Sequence, residues 1–216
     1  MTSMNNNNDG AEVFRYREIL VTVDVPASVA ERLGKIATAL AKVSDPVHID
    51  AFWIPPELMH LTLLHLGRVR EDLVDLIQER IQDTLATFAP FTCRMGSLEL
   101  HGDPEAEDPE EAPDALWATI EDPEGALAAL HDGIAAALED IGVQHHAAAP
   151  FRPHIAGALF AKFRNTREFG SVMLERSGEN LGEFPVRELV VLENRAADGH
   201  RDQPFRPVKR LELRGD

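Results

Sequence analysis

Ile19, Val21, Val23 and Val25 alternate with Leu20, Thr22 and Asp24, the period-two pattern of a half-buried strand, and Pro26 stops it. Ser28 stands where a helix cap is wanted, and Leu33, Ile36, Ala37 and Leu40 recur at helical spacing up to an expected end near Val43. A strand-like piece at residues 52–54 runs into the apolar stretch 59–67. Leu73, Leu76, Ile77, Ile81, Leu85 and Phe88 then predict a second helix, with Pro90 as its terminator. Residues 91–100 read as a strand, and Leu116, Ala118 and Ile120 mark another, with Trp117 and Thr119 on its opposite face. Asp122-Pro123 signals a third helix through Leu127, Leu130, Ile134, Leu138 and Ile141, closed by Gly142. A second apolar strand follows at residues 152–160, residues 162–183 carry no clear period, and two last strands are predicted over 186–193 and 205–213. The order predicts an α+β fold: two similar, pseudo-symmetric β-sheet lobes with outer helices around a central cleft.

Two of these strands carry chemistry. Successive side chains of a strand alternate faces, so His60 and Thr62 share one face about 6.6 Å apart along the backbone. His154 and Ala156 repeat the layout, which assigns Ile155, Gly157 and Leu159 to the other face. By the same alternation His65 falls opposite His60. An imidazole of ordinary pKa about 6.5 is neutral or protonated near neutral pH, so two facing rings can act as a base and an acid on a phosphate ester. One His-x-Thr alone is a weak signal, because a strand histidine is more often structural than catalytic.

Composition narrows the class. A chain of 216 residues with 44% hydrophobic content can build one compact unit. We expect a tail without fixed structure over residues 1–12 and a single bilobal domain over 13–216. The lone Cys93 excludes an internal disulfide framework. No secretory pattern opens the chain and no apolar run reaches the length of a membrane span, so a cytoplasmic monomer without membrane contact is the expectation. A net charge of −16 argues against a general nucleic-acid coat, though not against a small phosphorylated substrate. Much of that charge lies in the proline-punctuated acidic run 103–114, read as a solvated loop. Positive residues gather instead at Arg152, Lys162, Arg164 and Arg167, and again over 195–210, where ion-pair partners are the plain alternative to a substrate surface. His145 and His146 are adjacent and lack Cys, Asp or Glu at ligand spacing, a poor metal site.

Taken together, the chain resembles the two-histidine phosphoesterases, in particular their RNA 2′,3′-cyclic phosphodiesterase branch, once named for 2′-5′ RNA ligase activity. The resemblance rests on Trp53-Ile54-Pro55-Pro56-Glu57-Leu58-Met59-His60-Leu61-Thr62-Leu63, Leu66-Gly67, Pro90-Phe91, Leu116-Trp117, Phe151-Arg152-Pro153-His154-Ile155 and the closing strand 205–213. It implies hydrolysis of the cyclic phosphates of RNA ends or nucleotides to 2′-phosphates, with no metal and no cofactor. It further implies that His60 donates a proton to the leaving 3′-oxygen, that His154 activates water and that Thr62 holds a phosphate oxygen. Arg152 stands within reach of an anionic substrate, and Trp53 and Phe52 offer rings to a base, against the alternative that such aromatics pack in the core. The chain departs from the family pattern at Ala156, where threonine or serine is usual, at Gly157 instead of an aliphatic residue, and at Leu159 in place of a downstream arginine. Those departures leave two other readings: a degenerate module that binds RNA ends or phosphorylated ligands without turnover, or an enzyme for 2′-5′ linked or other cyclic phosphodiesters.

Overall fold

The computed structural model describes residues 14–103, 108, 111–145, 150–201 and 203–215. The tail expected over 1–12 and much of the acidic run lie outside them. Nine strands form one antiparallel sheet: β1 Tyr16–Asp24, β2 Asp50–Trp53, β3 His60–Arg70, β4 Phe91–His101, β5 Ala115–Glu121, β6 His154–Lys162, β7 Glu183–Val186, β8 Glu188–Asn194 and β9 Phe205–Glu212. Four helices accompany them: α1 Ala27–Val43, α2 Val74–Leu85, α3 Ala126–Glu139 and α4 Arg167–Arg176.

The sheet order is β7-β4-β5-β6-β3-β1-β8-β9, with β2 added along the free part of β6. Its centre is the seam between β6 and β3, where Leu61 faces Ile155 and both side chains are fully buried. About that seam the two halves mirror each other in topology, β6 matching β3, β5 matching β1, β4 matching β8 and β7 matching β9. The two expected lobes are thus halves of one continuous curled sheet. The helices exchange between them: α1 follows β1 yet packs against α4, β6 and β2, whereas α3 follows β5 yet packs with α2 and touches β3. All four cover one face, sealing Ile19, Val21, Val23, Leu61, Leu116, Ala118 and Ile155 together with Leu33, Ile36, Ile77, Ile81, Leu130 and Ile134 in one core. The opposite face carries no helix among the described residues.

Several element ends depart from the sequence reading. Helix α1 begins behind Pro26 without a side-chain cap, so Ser28 lies inside its first turn. Pro123 does not open α3; Gly125 with φ +69° turns the chain into it, yet the Asp122 carboxylate still accepts from the backbone N–H groups of Leu127 and Ala128 at 3.2 and 2.9 Å. Helix α2 ends at Leu85, well before Pro90. The patternless stretch holds α4, whose one buried residue is Phe169 and whose cap is Thr166 Oγ1, accepting from the N–H of Phe169.

Among the register shifts of the sheet, two fall at matching places after the histidines. Along β1 and β3, Thr22 pairs with Thr62 but Val21 pairs with Leu64, so Leu63 is an extra residue. Along β5 and β6, Trp117 pairs with Ala156 but Leu116 pairs with Ala158, so Gly157 is extra. Each bulge is the third residue after its histidine. A bulge reverses the facing beyond it until a further shift restores it, as the one at Leu66 does in β3. Ala158 and Phe160 therefore enter the core while Leu159 is 49% exposed, the reverse of plain alternation. In the same way Leu20, which shares a face with Thr22, pairs with His65, so His65 lies on the His60 face with Nε2 3.3 Å from Glu18.

Candidate functional site

The pair Leu61 and Ile155 fixes where the histidines go. On the helix-free face, one step either side of this antiparallel pair sets His60 beside Ala156 and Thr62 beside His154. His60 and His154 are then diagonal neighbours, with Cα atoms about 7–8 Å apart. Their rings are anchored alike: each Nδ1 donates to the carbonyl two residues back, His60 to Leu58 at 2.9 Å and His154 to Arg152 at 2.8 Å. A carbonyl can only accept, so Nδ1 carries the proton and Nε2 is left as the exchanging nitrogen of both rings.

The surroundings differ where the anchoring does not. His60 lies opposite Asp24 in the register and meets the edge of Phe205 at 4.8 Å between centroids. Burial holds its pKa below the ordinary imidazole value, opposed by the Leu58 hydrogen bond and the Asp24 charge. His154 is stacked on Trp117, centroids 3.7 Å apart and planes 15° from parallel. On the indole's other side His101 stacks at 4.0 Å, its Nδ1 donating to Asp114 at 2.7 Å. Burial again lowers the His154 pKa; the hydrogen bond to the Arg152 carbonyl opposes this, whereas the His101 and Arg152 charges deepen it. A carboxylate thus lies beside one ring and a guanidinium near the other, each already ion-paired, Asp24 with Arg210 and Arg152 with Glu99.

Thr62 shares this face and its hydroxyl makes no hydrogen bond within the protein among the described residues, whereas the neighbouring Thr22 hydroxyl is committed to the Val190 carbonyl at 3.1 Å. Arg152 is at hand but engaged: its guanidinium bonds Glu99 at 2.9 Å and lies 5.6 Å over Trp117. Trp53 is not brought to the histidines. It pairs with Ala158 on the core side and packs edge-on to Phe160 at 6.2 Å. Lys162 bonds the Val47 carbonyl, and Arg206 and Arg210 pair with Glu193 and with Asp24 and Glu188. Among the described residues no group of three or more His, Cys, Asp or Glu is arranged to hold a metal, and no helix is long and apolar enough to cross a membrane.

The residues that sequence reasoning missed are Trp117 as the bed of His154, His101 behind it, and Phe205 against His60. Only the pairing of β5 with β6 and β4 brings the first three rings together, and no local pattern announces it.

A family model described as the 2′-5′ RNA ligase superfamily matches residues 53–198. A curated relative from Archaeoglobus fulgidus, named RNA 2′,3′-cyclic phosphodiesterase, is 27% identical over 170 residues, covering 79% of this chain and 86% of its own. The fold is shared with Escherichia coli LigT, solved in complex with 3′-AMP, at a TM-score of 0.66 and 20% identity over 92% of this chain and 99% of that one. A Thermus thermophilus protein matches equally, at a TM-score of 0.66 and 20% identity over the same shares.

Proposed function

From the premise that this chain belongs to the 2′-5′ RNA ligase superfamily, we propose that it is a phosphodiesterase that opens 2′,3′-cyclic phosphates of RNA ends or nucleotides to 2′-phosphates. One observation carries the reading. Two imidazoles with the same tautomer, from matching strands of the two halves, flank a single spot on an open sheet face.

The chemistry follows from in-line displacement. His154, pushed toward its neutral form chiefly by burial, takes a proton from water at Nε2 as the water oxygen bonds to phosphorus. On the opposite side the bond from phosphorus to the 3′-oxygen breaks, and His60 Nε2–H delivers its proton there. Burial lowers the pKa of this donor, while the Leu58 hydrogen bond and the Asp24 charge work the other way, toward the charged form it needs. In this reading the Thr62 hydroxyl donates to a non-bridging oxygen, whose charge grows in the transition state. A proton has moved from water to His154 and another from His60 to the ribose; exchange with solvent restores both rings.

Purified protein offered a 2′,3′-cyclic nucleotide in the presence of a chelator is expected to yield the 2′-phosphate. No turnover sinks the proposal, and thermal stabilisation by the ligand without product would assign the fold to binding alone.

Ala156 gives a second test. It occupies the position that Thr62 holds in the other half, beside His60, and cannot donate a hydrogen bond. Ala156→Thr is expected to raise kcat/KM on the order of 10-fold, since a hydrogen bond to a charged group contributes about 1.5–3 kcal/mol. An unchanged value in a correctly folded variant shows that the phosphate does not reach that side.

A further inference from the structure

Beyond His154 the helix-free face carries a second feature. The registers place His101 opposite Ala115, Ala115 opposite Leu159, and Leu159 opposite Phe52. Directly paired residues share a face, so these four form one row across β4, β5, β6 and β2, about 14 Å wide at ordinary strand spacing. The row is two residues along β5 from Trp117 and four from Thr119, the partner of His154, hence about 13 Å from the histidine. Ala115 is covered, but Leu159 is 49% and Phe52 58% exposed, and the His101 ring is partly open to solvent. Large apolar side chains left bare on the face where the histidines meet call for an occupant.

We propose that this row is a platform for the unpaired bases upstream of the cyclic phosphate, so that the substrate is an RNA end rather than a free nucleotide. The inference rests on the phosphodiesterase reading and names its substrate class. The ring stack supplies the argument for nucleic acid over other occupants. His154, Trp117 and His101 lie face on face and run from the proposed reaction centre toward the row, ending in the outer imidazole face. Trp117 has a histidine on each side, which makes His101, Leu159 and Phe52 the surfaces open to a base a nucleotide or two from the end. Bases stack on aromatic side chains without regard to sequence, so a preference for length without a preference for sequence is the expected signature.

The test compares kcat/KM on a trinucleotide ending in a 2′,3′-cyclic phosphate with that on a 2′,3′-cyclic mononucleotide, for the native protein and for Phe52→Ala and Leu159→Ala. Both positions are exposed and the substitutions leave the core intact. The native protein is expected to favour the trinucleotide, and each variant to lower the ratio of the two values, Phe52→Ala by about 10-fold, within the range base stacking supplies. Turnover of both substrates with no length preference, or a ratio untouched by Phe52→Ala, overturns the platform and leaves the phosphodiesterase reading standing. A self-association abolished by Phe52→Ala at an unchanged ratio also overturns it, giving the face to a second copy. Failure of the native protein to turn over either substrate removes the phosphodiesterase reading itself, and the platform with it.

Discussion

Alanine in place of His154 is expected to lower kcat on a 2′,3′-cyclic nucleotide by about 10²–10⁴-fold, and alanine in place of His60 by a comparable factor. Each substitution removes a proton carrier from one side of the displacement, and no other imidazole is anchored at either place. The double variant should be little worse than either single one, because the two rings act on one step. The pH dependence of kcat/KM identifies which ring does what. The base must be neutral, so activity rises with pH through the His154 pKa; the acid must be protonated, so activity falls as pH passes the His60 pKa. Burial lowers both values, which sets the optimum on the acid side of the ordinary imidazole pKa of about 6.5. The residual activity of His154→Ala should lose the rising limb and that of His60→Ala the falling one. A surviving limb in the wrong variant would reverse the assignment, and full activity in either would end it. Stability carries the same sign. With folded pKa values below the unfolded one, the unfolded chain takes up protons first, so stability is complete above pH 6.5 and declines as pH falls from there through the folded values.

The second large effect concerns the seam. Leu61→Ala and Ile155→Ala should each destabilise the fold by about 2–5 kcal/mol, read as a lower urea midpoint at constant slope. Both side chains are fully buried, and each faces the other as the only registered pair between β3 and β6 among the described residues. Because they touch, the double variant should fall short of the sum of the single losses by about 0.5–3 kcal/mol. Additive losses would mean that each packs against its own half and that the seam contributes no coupling.

What the sequence shows and what it hides divide along physical lines. The helical period of α1 and the strands holding His60 and His154 are legible because one face of each is steadily apolar, and burial against helices enforces that pattern. Facing beyond residue 63 is not legible, since the bulge at Leu63 carries no compositional mark, and beyond residue 157 the isolated glycine is the one local sign of a bulge; plain alternation therefore puts His65 and Leu159 on the wrong sides. Trp53 and Phe52 could not be sorted from the letters either, because their facing depends on which side of β2 the helices cover; the structure sends Trp53 inward and Phe52 out. Helix α4 escaped because a ten-residue helix with a single buried side chain has almost no period to read. The stack of His154, Trp117 and His101 is a product of cross-strand register, a long-range property. The family resemblance, by contrast, reached the right fold because its short motifs sit on the strands that fix the seam.

The exchange of helices across the seam bears on how the protein moves. Since α1 hangs from one half while gripping the other, and α3 does the converse, swinging the halves apart would mean shearing two packed interfaces at once. The gap between the imidazoles is therefore held stiff by the backbone. The turnover proposed above would have no clamshell motion to wait for, and its speed would fall to bond making or to product departure.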